Sequence, residues 1–393
     1  MKVLYHHRTR GKGAEGAHIK GIVTAFRNMG HQVTLTSIHN VDPTKPPEIK
    51  EAVTEEKKGL KHKVLEMTKH MPEFVFETLE LMYNFIACRQ IAREIKKETP
   101  DVIYERYSLF MFGSLWYAKR KGIPFILEVN DSALVERVRH LMFKRIACKI
   151  ESWVFKHATG IVFISNYFKD LAESNHKKMA PCVVSPNAAD TEVFNPSLYD
   201  RESAKERFGV TEKVVCGFAG AFHHWHGIDW FVDEVINELK NHKNIVLLLV
   251  GDGPRHQYIT DLAKEHNLEE QIVLTGRVEH TEIPLAIAAM DFGIIPDSND
   301  YGSPMKLFEF MAMGKGMIVP DFSPITDVVI DNKTSWLFPK KDKGACVEKF
   351  FEVAGNEELI KNVGKNAIDY IETSRQWRHN VEQIIELAKN KTN

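Results

Sequence analysis

Hydrophobic positions along the chain follow two periods, which alternate from one end to the other. Short apolar runs are typical of buried strands, and stretches with apolar residues three or four positions apart are typical of amphipathic helices. The runs predict six strands in each half, at 2–6, 32–37, 101–104, 124–129, 160–164 and 182–185, and at 214–219, 245–250, 272–275, 292–295, 316–319 and 336–338. Helices are predicted between them, among others at 17–29, 66–98 and 134–157. This alternation predicts an α/β protein with two successive doubly wound, Rossmann-like units.

A segment rich in proline and asparagine separates the two halves of this pattern. It covers residues 185–197 and is predicted to be a linker. A chain of 393 residues is also too long for one ordinary core. We therefore predict a first domain at 1–190 and a second at 191–375, each binding its ligands at the carboxyl ends of its strands.

The composition narrows the class of protein. With 44% hydrophobic and 27% charged residues, the chain matches a soluble globular protein. Its longest apolar runs, such as 244–250, are much shorter than a membrane span. Five cysteines without a CxxC pair predict free thiols in a reducing compartment and no metal site. Since no leader-like segment follows Met1, we expect a cytoplasmic protein.

The net charge of −1 conceals an uneven distribution. Residues 1–190 contain 30 Lys and Arg against 21 Asp and Glu, whereas residues 191–393 contain 22 against 32. Such an asymmetry suggests two units that face different partners. The basic half would suit an anionic small molecule or a membrane surface. Nucleic acid is not expected, because no basic stripe with interleaved aromatic residues occurs.

The segment 301–315 has the pattern of a loop that runs into a short helix. Ser303 predicts the N-cap, and Pro304 predicts the first helical position, where its missing N–H has no cost. Gly314 predicts the end of the helix. A predicted strand precedes this segment, so the first N–H groups of the helix are expected to face outward and to bind an anion.

Two charged residues follow the start of this predicted helix. Lys306 adds a positive charge to the first turn, and Glu309, three residues later, shares its face. The pair could be a surface ion pair worth a few tenths of a kcal/mol. Alternatively, Lys306 could hold a phosphate while Glu309 binds a hydroxyl group, as the donor half of a nucleotide-sugar requires. The strand–loop–helix setting favours the second interpretation.

Several further motifs occur in a fixed order over most of the chain. They are 11–18 with His18 on the following helix, 30–33, 163–165, 185–187 with 190–194, 217–227, 250–254 (Val-Gly-Asp-Gly-Pro), 274–276 and the segment 301–315. Each is weak by itself, but their order and spacing are informative together. With them the chain resembles the GT-B glycosyltransferases of family 4, the retaining class that uses nucleotide-sugars.

The chain also departs from the pattern of these relatives. They usually carry a first glutamate eight positions before Glu309, where this chain has Tyr301. His226 stands where lysine is common, Asn130 where many relatives have histidine, and Lys12 where another glycine is frequent. The transferase class is compatible with these changes, although they alter the individual contacts expected at the sugar.

The resemblance implies an architecture and a reaction. It implies two Rossmann-like domains facing across a cleft, with a C-terminal helix at 376–393 that packs back on the first domain. The implied reaction moves a sugar, with retention, from a nucleotide-diphosphate sugar to a hydroxyl acceptor, with UDP favoured over GDP. Bacterial-type glycan, glycolipid or glycoconjugate synthesis would be its setting. No cofactor or metal is implied, because the nucleotide-sugar is a substrate.

The resemblance also implies which residues form the site. The diphosphate is expected at Lys306 and the N–H groups of 302–306, and the ribose hydroxyls at Glu309. The expected donor-binding residues are Gly13, Gly220, His226, Gly251, Gly253, Arg277, Val278, Gly302, Ser303, Pro304, Met305, Lys306, Leu307 and Glu309. The expected acceptor-side residues are Lys12, His18, Glu105, Arg106, Asn130 and Asp131, and the expected catalytic residues are Lys306, Glu309 and Asn130.

The run His223-His224-Trp225-His226 raises the question of a metal. Histidines at this spacing, without a cysteine or carboxylate partner nearby, are weak evidence for a metal site. We instead expect His226 to donate a hydrogen bond to a phosphate. Donor binding would then weaken above pH 6–7, where an ordinary imidazole becomes neutral.

Two stretches of the basic half mix basic and large apolar residues, at 57–97 and 137–156. Basic amphipathic helices can lie on an anionic membrane and would suit a lipid-linked acceptor. The apolar residues could equally be the core faces of ordinary helices, which is the favoured interpretation. Peripheral contact with an anionic membrane therefore stays an open alternative.

Two other functions remain compatible with the sequence. A sugar-nucleotide epimerase of the same fold would need a carboxylate or histidine set for chemistry at C2 of the sugar, and no distinctive set is visible. A non-catalytic nucleotide-sugar-binding protein is compatible with the missing glutamate at Tyr301. Incubation with nucleotide-sugars separates the three classes by their products.

Overall fold

The computed structural model describes residues 1–11, 13–37, 42–45, 72–135 and 140–389. The chain divides into two compact units. The first comprises Met1–Ser185 together with the C-terminal residues from Asn380, and the second comprises Pro186–His379. This division lies slightly before the predicted boundary at residue 190.

The first unit contains a six-stranded parallel sheet. Its strands are β1 (Lys2–His7), β2 (Gln32–Ser37), β3 (Val102–Arg106), β4 (Phe125–Val129), β5 (Gly160–Phe163) and β6 (Cys182–Val184). They lie in the order β2-β1-β3-β4-β5-β6, and every pairing is parallel. The inner strands β3, β4 and β5 are buried along their whole length, as expected for a sheet with helices on both faces.

Helices follow the strands of the first sheet. They are α1 (Gly13–Asn28), α2 (Glu73–Lys97), α3 (Gly113–Arg120), α4 (Lys144–His157) and α5 (Asn166–Asn175), and the last helix of the chain, α14 (Trp377–Lys389), ends in this unit. In α14, Leu387 packs against Gly160, where an added Cβ would lie 3.1 Å from the Leu387 Cβ. The first residues of the predicted helix 66–98 lie outside the described residues.

The prediction of one helix over 134–157 was wrong. The helix begins only at Lys144, because the residues before it are held in another way. The buried Glu77 carboxylate of α2 accepts hydrogen bonds from the N–H groups of Met142 (2.8 Å) and Phe143 (2.6 Å). These donors face a side chain from another helix, and Phe143 takes a non-helical N-cap conformation.

The second unit repeats the architecture. Its strands are β7 (Val214–Ala219), β8 (Ile245–Val250), β9 (Ile272–Gly276), β10 (Phe292–Ile294), β11 (Met317–Pro320) and β12 (Trp336–Phe338), in the parallel order β12-β11-β10-β7-β8-β9. Its helices are α6 (Arg201–Arg207), α7 (Ile228–Leu239), α8 (His256–Glu265), α9 (Ile283–Ala288), α10 (Met305–Ala312), α11 (Ser323–Thr326), α12 (Lys343–Ala354) and α13 (Glu357–Ser374). Apolar clusters cover both faces of this sheet, one containing Leu248 with Phe308 of α10, and the other Leu247 with Phe231 of α7.

Each sheet has one point at which the strand order reverses. In the first sheet this point lies between β1 and β3, and in the second between β7 and β10. The connections leave on opposite sides of the sheet there, so a crevice opens outside the carboxyl ends of the two strands, where doubly wound proteins bind ligands. The expected site in the second unit is therefore built by the segments that follow β7 and β10.

The sequence-based fold prediction is confirmed. All twelve predicted strands are present, and their ends differ from the prediction by at most two residues. None of the described helices is both long and apolar enough to cross a membrane. All five cysteines are free.

Candidate functional site

Helix α10 begins directly beside the reversal point of the second sheet, but its cap differs from the prediction. The helix starts at Met305, with Pro304 at the N-cap and no side chain capping it. Ser303 does not cap because Asn187 engages it. The Ser303 hydroxyl accepts a hydrogen bond from the Asn187 N–H (3.3 Å), and its carbonyl accepts one from the Asn187 side-chain amide (2.7 Å). The first-turn N–H groups therefore receive no side-chain cap.

The Lys306 side chain on α10 ends in an enclosed position. Its Nζ is shielded from solvent and has no hydrogen-bond partner in the part of the chain that the structure describes. The ammonium group lies 4.0 Å from the centroid of the Phe218 ring on β7, a cation–π contact that only partly replaces lost water. Gly220 is in close contact with it, since a Cβ there would lie 2.7 Å from Nζ.

Three titratable groups around this position have shifted pKa values. Burial lowers the pKa of Lys306 to about 8, although the charge of Glu309 raises it. Burial raises the pKa of Glu309 to about 7, opposed by Lys306. Burial, with the charges of Lys306 and His223, lowers the pKa of His226 to about 4. The charged forms are thus disfavoured, and an anion placed beside Lys306 would restore the stability of its ammonium form.

The His226 result corrects the expected pH dependence. With a pKa of about 4, this imidazole is already neutral between pH 6 and 7 and undergoes no charge change there. The neighbouring ammonium of Lys306 is one physical reason, because it disfavours a second positive charge. A neutral imidazole can still donate one hydrogen bond.

The backbone next to the Lys306 ammonium group is closely packed. Gly220 donates its N–H to the Val250 carbonyl (2.9 Å), and Gly251 donates to the Gly276 carbonyl (3.0 Å), so the ends of β7, β8 and β9 are connected. Gly251 has a φ of 136°, and an added Cβ would lie only 1.9 Å from the Gly220 carbonyl oxygen. At Gly253 (φ 158°) a Cβ would lie 2.7 Å from a backbone nitrogen. Only glycine fits at these positions.

This packing predicts a graded loss of stability. Gly251→Ala should destabilise the second unit by about 3 kcal/mol or more, because it combines backbone strain with a backbone clash. Gly276→Ala is the matched control: its φ is 68°, but a Cβ there meets nothing within 4 Å, so it should cost only about 1 kcal/mol. Urea denaturation of both variants measures the difference, and equal losses would contradict the proposed clash.

Two predicted donor contacts in the segment 302–307 need correction. The Gly302 N–H is donated to the Asn299 side-chain oxygen, so it does not point outward for a phosphate. Leu307 is fully buried in the core, and its N–H is donated to the Pro304 carbonyl (3.1 Å). Neither group is available at the helix start, which leaves the first-turn N–H groups of Met305 and Lys306.

The other residues considered on the donor side lie near the carboxyl edge of the second sheet or in the first unit. Arg277 is exposed directly after β9, and Val278 is half-buried against the core. Tyr301 is 38% exposed, and its N–H is donated to the Asn299 side-chain oxygen (3.1 Å). Gly13 begins α1 of the first unit with a φ of 60°.

A second polar cluster lies at the carboxyl edge of the first sheet, around Glu128 at the end of β4. This carboxylate is 1% exposed. It accepts hydrogen bonds from His18 Nε2 (2.8 Å), the Tyr104 hydroxyl (2.6 Å) and Arg106. With the Asn130 amide oriented to satisfy its neighbours, its oxygen accepts from Arg106 Nη2 (2.7 Å) and Nε (3.2 Å). Three predicted acceptor-side residues, His18, Arg106 and Asn130, are thus brought together.

Glu128 is ionised in this cluster. Burial alone would raise its pKa, but the charges of His18 and Arg106 and the hydrogen bonds of His18 and Tyr104 hold the pKa at about 2. Because the carboxylate can only accept, His18 donates through Nε2 and the Tyr104 hydroxyl also donates. The cluster therefore fixes the Arg106 guanidinium and, through it, the Asn130 side chain.

The other predicted acceptor-side residues do not join this cluster. Glu105 precedes Arg106 in β3 and so points to the opposite face of the sheet, where it pairs with His6 of β1. Nε2 of His6 is buried and has no partner among the described residues. Asp131 accepts the N–H of Ser132 (2.8 Å), and Lys12 lies outside the described residues.

Comparison with protein-family models identifies the class. The model described as Glycosyltransferase Family 4 matches residues 16–193, and the model described as Glycosyl transferases group 1 matches residues 213–356. Together they account for most of the chain. The chain is a GT-B glycosyltransferase of the family 4 type.

Known proteins agree with this class. A curated but uncharacterised glycosyltransferase of Methanocaldococcus jannaschii is 28% identical over 284 residues, which cover 70% of this chain and 72% of the relative. A glycosyltransferase from Rickettsia africae has the same fold, with a TM-score of 0.74, 18% identity and coverage of 99% and 98%. HepE from Anabaena, solved in complex with UDP-glucose, has a TM-score of 0.67 at 14% identity. The match covers 99% of this chain and 100% of HepE. The identities of the two solved structures are low, so they show the fold alone.

Sequence reasoning missed the roles of some residues that shape the site of this glycosyltransferase. Glu128 is the centre of the second polar cluster, in the first unit, and Tyr104 belongs to it. Phe218 contacts Lys306, and Asn187 and Asn299 fix the loop before α10. An acidic residue inside a buried strand is itself a signal, because such residues are rarely buried unless paired, and this signal could have marked Glu128 as the centre of a cluster.

The histidine-rich loop after β7 is an aromatic cluster. The rings of His223 and Trp225 are stacked, with centroids 4.1 Å apart and planes inclined by 9°. Within the described ranges, the glycosyltransferase has no group of three His, Cys, Asp or Glu residues arranged to hold a metal ion.

Proposed function

We propose that this glycosyltransferase moves a sugar, with retention of anomeric configuration, from a nucleoside-diphosphate sugar to a hydroxyl acceptor. A UDP-sugar is the favoured donor, and synthesis of a bacterial-type glycan, glycolipid or glycoconjugate is the proposed setting. The observation that carries the proposal is the enclosed Lys306 ammonium, which has no hydrogen-bond partner among the described residues.

The electrostatics at Lys306 suit a diphosphate. The ammonium contacts an aromatic ring and a glycine. Its burial away from water lowers its pKa. A phosphate oxygen next to Nζ would supply the missing acceptor and the opposite charge together. The first-turn N–H groups of Met305 and Lys306 and the helix dipole would add donors on the same side.

Glu309 is the proposed partner of the ribose hydroxyls. It lies one turn after Lys306, and its pKa of about 7 leaves the carboxylate substantially populated at neutral pH. A bound ribose would donate two hydrogen bonds to it and favour the ionised form. HepE, which shares the fold, is known with UDP-glucose bound, and this supports UDP as the first nucleotide to test.

The proposed mechanism is a displacement on one face of the sugar. The bond between the anomeric carbon and the diphosphate oxygen breaks, and a bond to the acceptor oxygen forms on the same face. The acceptor proton passes to the departing phosphate oxygen. Lys306 stabilises the negative charge that grows on the diphosphate, so we propose that no added metal is required. On the acceptor side, Arg106 and Asn130 are proposed to orient the hydroxyl group.

The function is tested by incubating the full chain with a panel of UDP- and GDP-sugars and glycosyl acceptors, with and without EDTA. Release of nucleotide that depends on an acceptor, with an α-linked product from an α-linked donor in the NMR spectrum, supports the proposal. Conversion of one nucleotide-sugar into another would identify an epimerase. Stabilisation by a nucleotide-sugar without any turnover would identify a binding protein.

The pKa of Lys306 predicts how UDP binding depends on pH. In the free protein the ammonium loses its proton through about pH 8, and a bound diphosphate should raise this pKa toward its usual 10.5. UDP binding should then take up a proton, and the affinity should fall by up to about tenfold per pH unit between pH 8 and 10. Isothermal titration calorimetry in buffers of different ionisation enthalpy measures both effects. A flat profile over this range would contradict the role of Lys306.

A further inference from the structure

One face of helix α2 in the first unit carries large apolar side chains that are exposed. They are Phe74, Leu79, Met82, Phe85 and Ile86, with Phe85 74% exposed. Their spacing places them within about half of the helix circumference. Helix α2 has 25 residues and is therefore about 37 Å long, whereas the neighbouring strands have five or six residues, or roughly 20 Å. The helix is too long for the sheet to cover its whole length.

One residue just before α4 and one in its first turn extend this apolar face. Met142 is 63% exposed, and Ile146, one turn later, is 42% exposed. Glu77 of α2 holds the N–H groups of Met142 and Phe143, so the two helices meet here. The five exposed residues of α2, Met142 and Ile146 form what we term the apolar patch. Of the thirteen large hydrophobic side chains exposed in the described ranges, seven belong to it, which marks a site of interaction rather than scattered exposure.

The exposed charges around the apolar patch are mainly positive. The exposed face of α2 continues into basic residues, and the exposed positions of α4 are basic as well: Arg89, Arg93, Lys96, Lys97, Lys144, Arg145, Lys149 and Lys156. Most acidic residues of these helices are either buried or paired with a basic side chain. Glu77 and Glu151 are buried, and Glu80 is paired with Arg8 (3.1 Å). Glu94 is paired with both Arg93 (3.0 Å) and Lys97 (2.9 Å), so this group of three keeps one net positive charge.

The apolar patch lies near the carboxyl edge of the first sheet. The carboxyl end of α2 leads through a short turn into β3, and that of α4 leads directly into β5. Both helices therefore begin near the carboxyl ends of the parallel strands. The cluster of Glu128, Arg106 and Asn130 lies at the same edge.

We propose that the apolar patch and its basic rim dock this unit on an anionic phospholipid surface. An apolar centre inserts into the boundary between headgroups and acyl chains, while the basic residues remain at the lipid phosphates. A second copy of the chain is a poorer occupant, because a two-fold contact would place the basic rim against itself. If the proposed transfer reaction also holds, the acceptor is a lipid-borne hydroxyl presented at this surface.

The proposal reverses the interpretation favoured from the sequence, in which the apolar residues of these helices formed core faces. That interpretation holds for Phe155, which is 1% exposed. It fails for Met142, Ile146 and the five residues of α2.

The test is flotation of the full chain with vesicles, without any sugar substrate, so that docking and transfer can fail separately. Vesicles of phosphatidylcholine with one quarter phosphatidylglycerol should bind the protein at 50 mM salt, and 500 mM salt should release much of it. Phe85→Ser should lower the partition coefficient about tenfold or more. Lys144→Ala with Arg145→Ala should lower it about thirtyfold.

Matched controls come from the second unit. Leu198 is 62% exposed, and Lys264 is an exposed lysine of α8, so Leu198→Ser and Lys264→Ala should leave binding unchanged. Equal binding to vesicles of phosphatidylcholine alone, no binding at low salt, or equal losses in the control variants would each overturn the proposal. A dimer in sedimentation analysis that Phe85→Ser dissociates would assign the patch to a second copy instead.

Discussion

Replacing Lys306 with methionine should lower kcat/KM for the donor roughly 10²–10³-fold while leaving the protein at least as stable as before. The activity falls because the variant has no positive charge for the departing diphosphate, an interaction that is strongest in the transition state. The stability does not fall because the free ammonium is buried without a hydrogen-bond partner among the described residues. Methionine fills a similar volume and packs well on the Phe218 ring.

The sign of the stability change follows from the pKa. Folding lowers the pKa of Lys306 from 10.5 to about 8, so the folded state carries a disfavoured charge at any pH below about 8. Removing the amine should stabilise the apo protein by about 1–3 kcal/mol at neutral pH. Urea denaturation without ligand measures this change, and steady-state kinetics with varied donor measures the loss of activity.

Lys315 provides a matched control for this variant. It lies shortly after the end of α10, and burial also lowers its pKa to about 8, but its charged neighbours are Asp291, Arg201 and Lys205 rather than Glu309. Lys315→Met should leave donor turnover unchanged. An equal loss of activity in both variants would mean that the effect comes from disturbing α10, and Lys306 would lose its proposed role.

The predictions that succeeded rest on periodicity, which reports burial directly. Strands such as β8, Ile245–Val250, are continuous apolar runs because both faces of a parallel sheet are covered. Gly314, with a φ of 68° after the last turn of α10, was predictable from the requirement for a left-handed residue at a helix end. These signals are local, so a sequence without any alignment is enough to read them.

The predictions that failed depend on contacts between distant residues. The cap at Ser303 failed because Asn187, more than a hundred positions earlier, engages its hydroxyl and carbonyl groups. The predicted start of α4 was wrong because the Glu77 carboxylate accepts hydrogen bonds from the N–H groups that precede the helix. Glu105 and Arg106 both lie at the end of β3, as predicted, but their contacts differ because adjacent strand residues point to opposite faces. A local pattern carries no information about which distant side chain will compete for the same donor or acceptor.

The buried Glu128 carboxylate gives the second large expected effect. Glu128→Ala should destabilise the first unit by about 3–5 kcal/mol, because Arg106 would be left buried without its charged partner. Simultaneous removal of the guanidinium, in Glu128→Ala with Arg106→Ala, should cost less than the sum of the two single changes. Hydrogen exchange of the β3 and β4 amides is the suitable measurement, since it reports the first unit separately from the second.

An exposed ion pair at the other edge of the same sheet serves as the reference. Glu98 contacts Lys2 at 2.6 Å, but both side chains are more than 40% exposed, so Glu98→Ala should cost less than about 1 kcal/mol. A loss at Glu128 as small as the loss at Glu98 would show that the Glu128 cluster does not hold this edge together.

The pH dependence of the Glu128 effect has a defined direction. Folding lowers the pKa of this carboxyl from 4.5 to about 2, so its ionised form stabilises the folded state fully above about pH 4.5 and loses this contribution as the pH falls toward 2. The difference in stability between the wild type and Glu128→Ala should therefore be constant from pH 7 to 5 and shrink below pH 4.5. A difference that stays constant down to pH 3 would mean that the carboxylate charge does not stabilise Arg106. In that case the orientation of Asn130, and with it the proposed acceptor contact, would need another support.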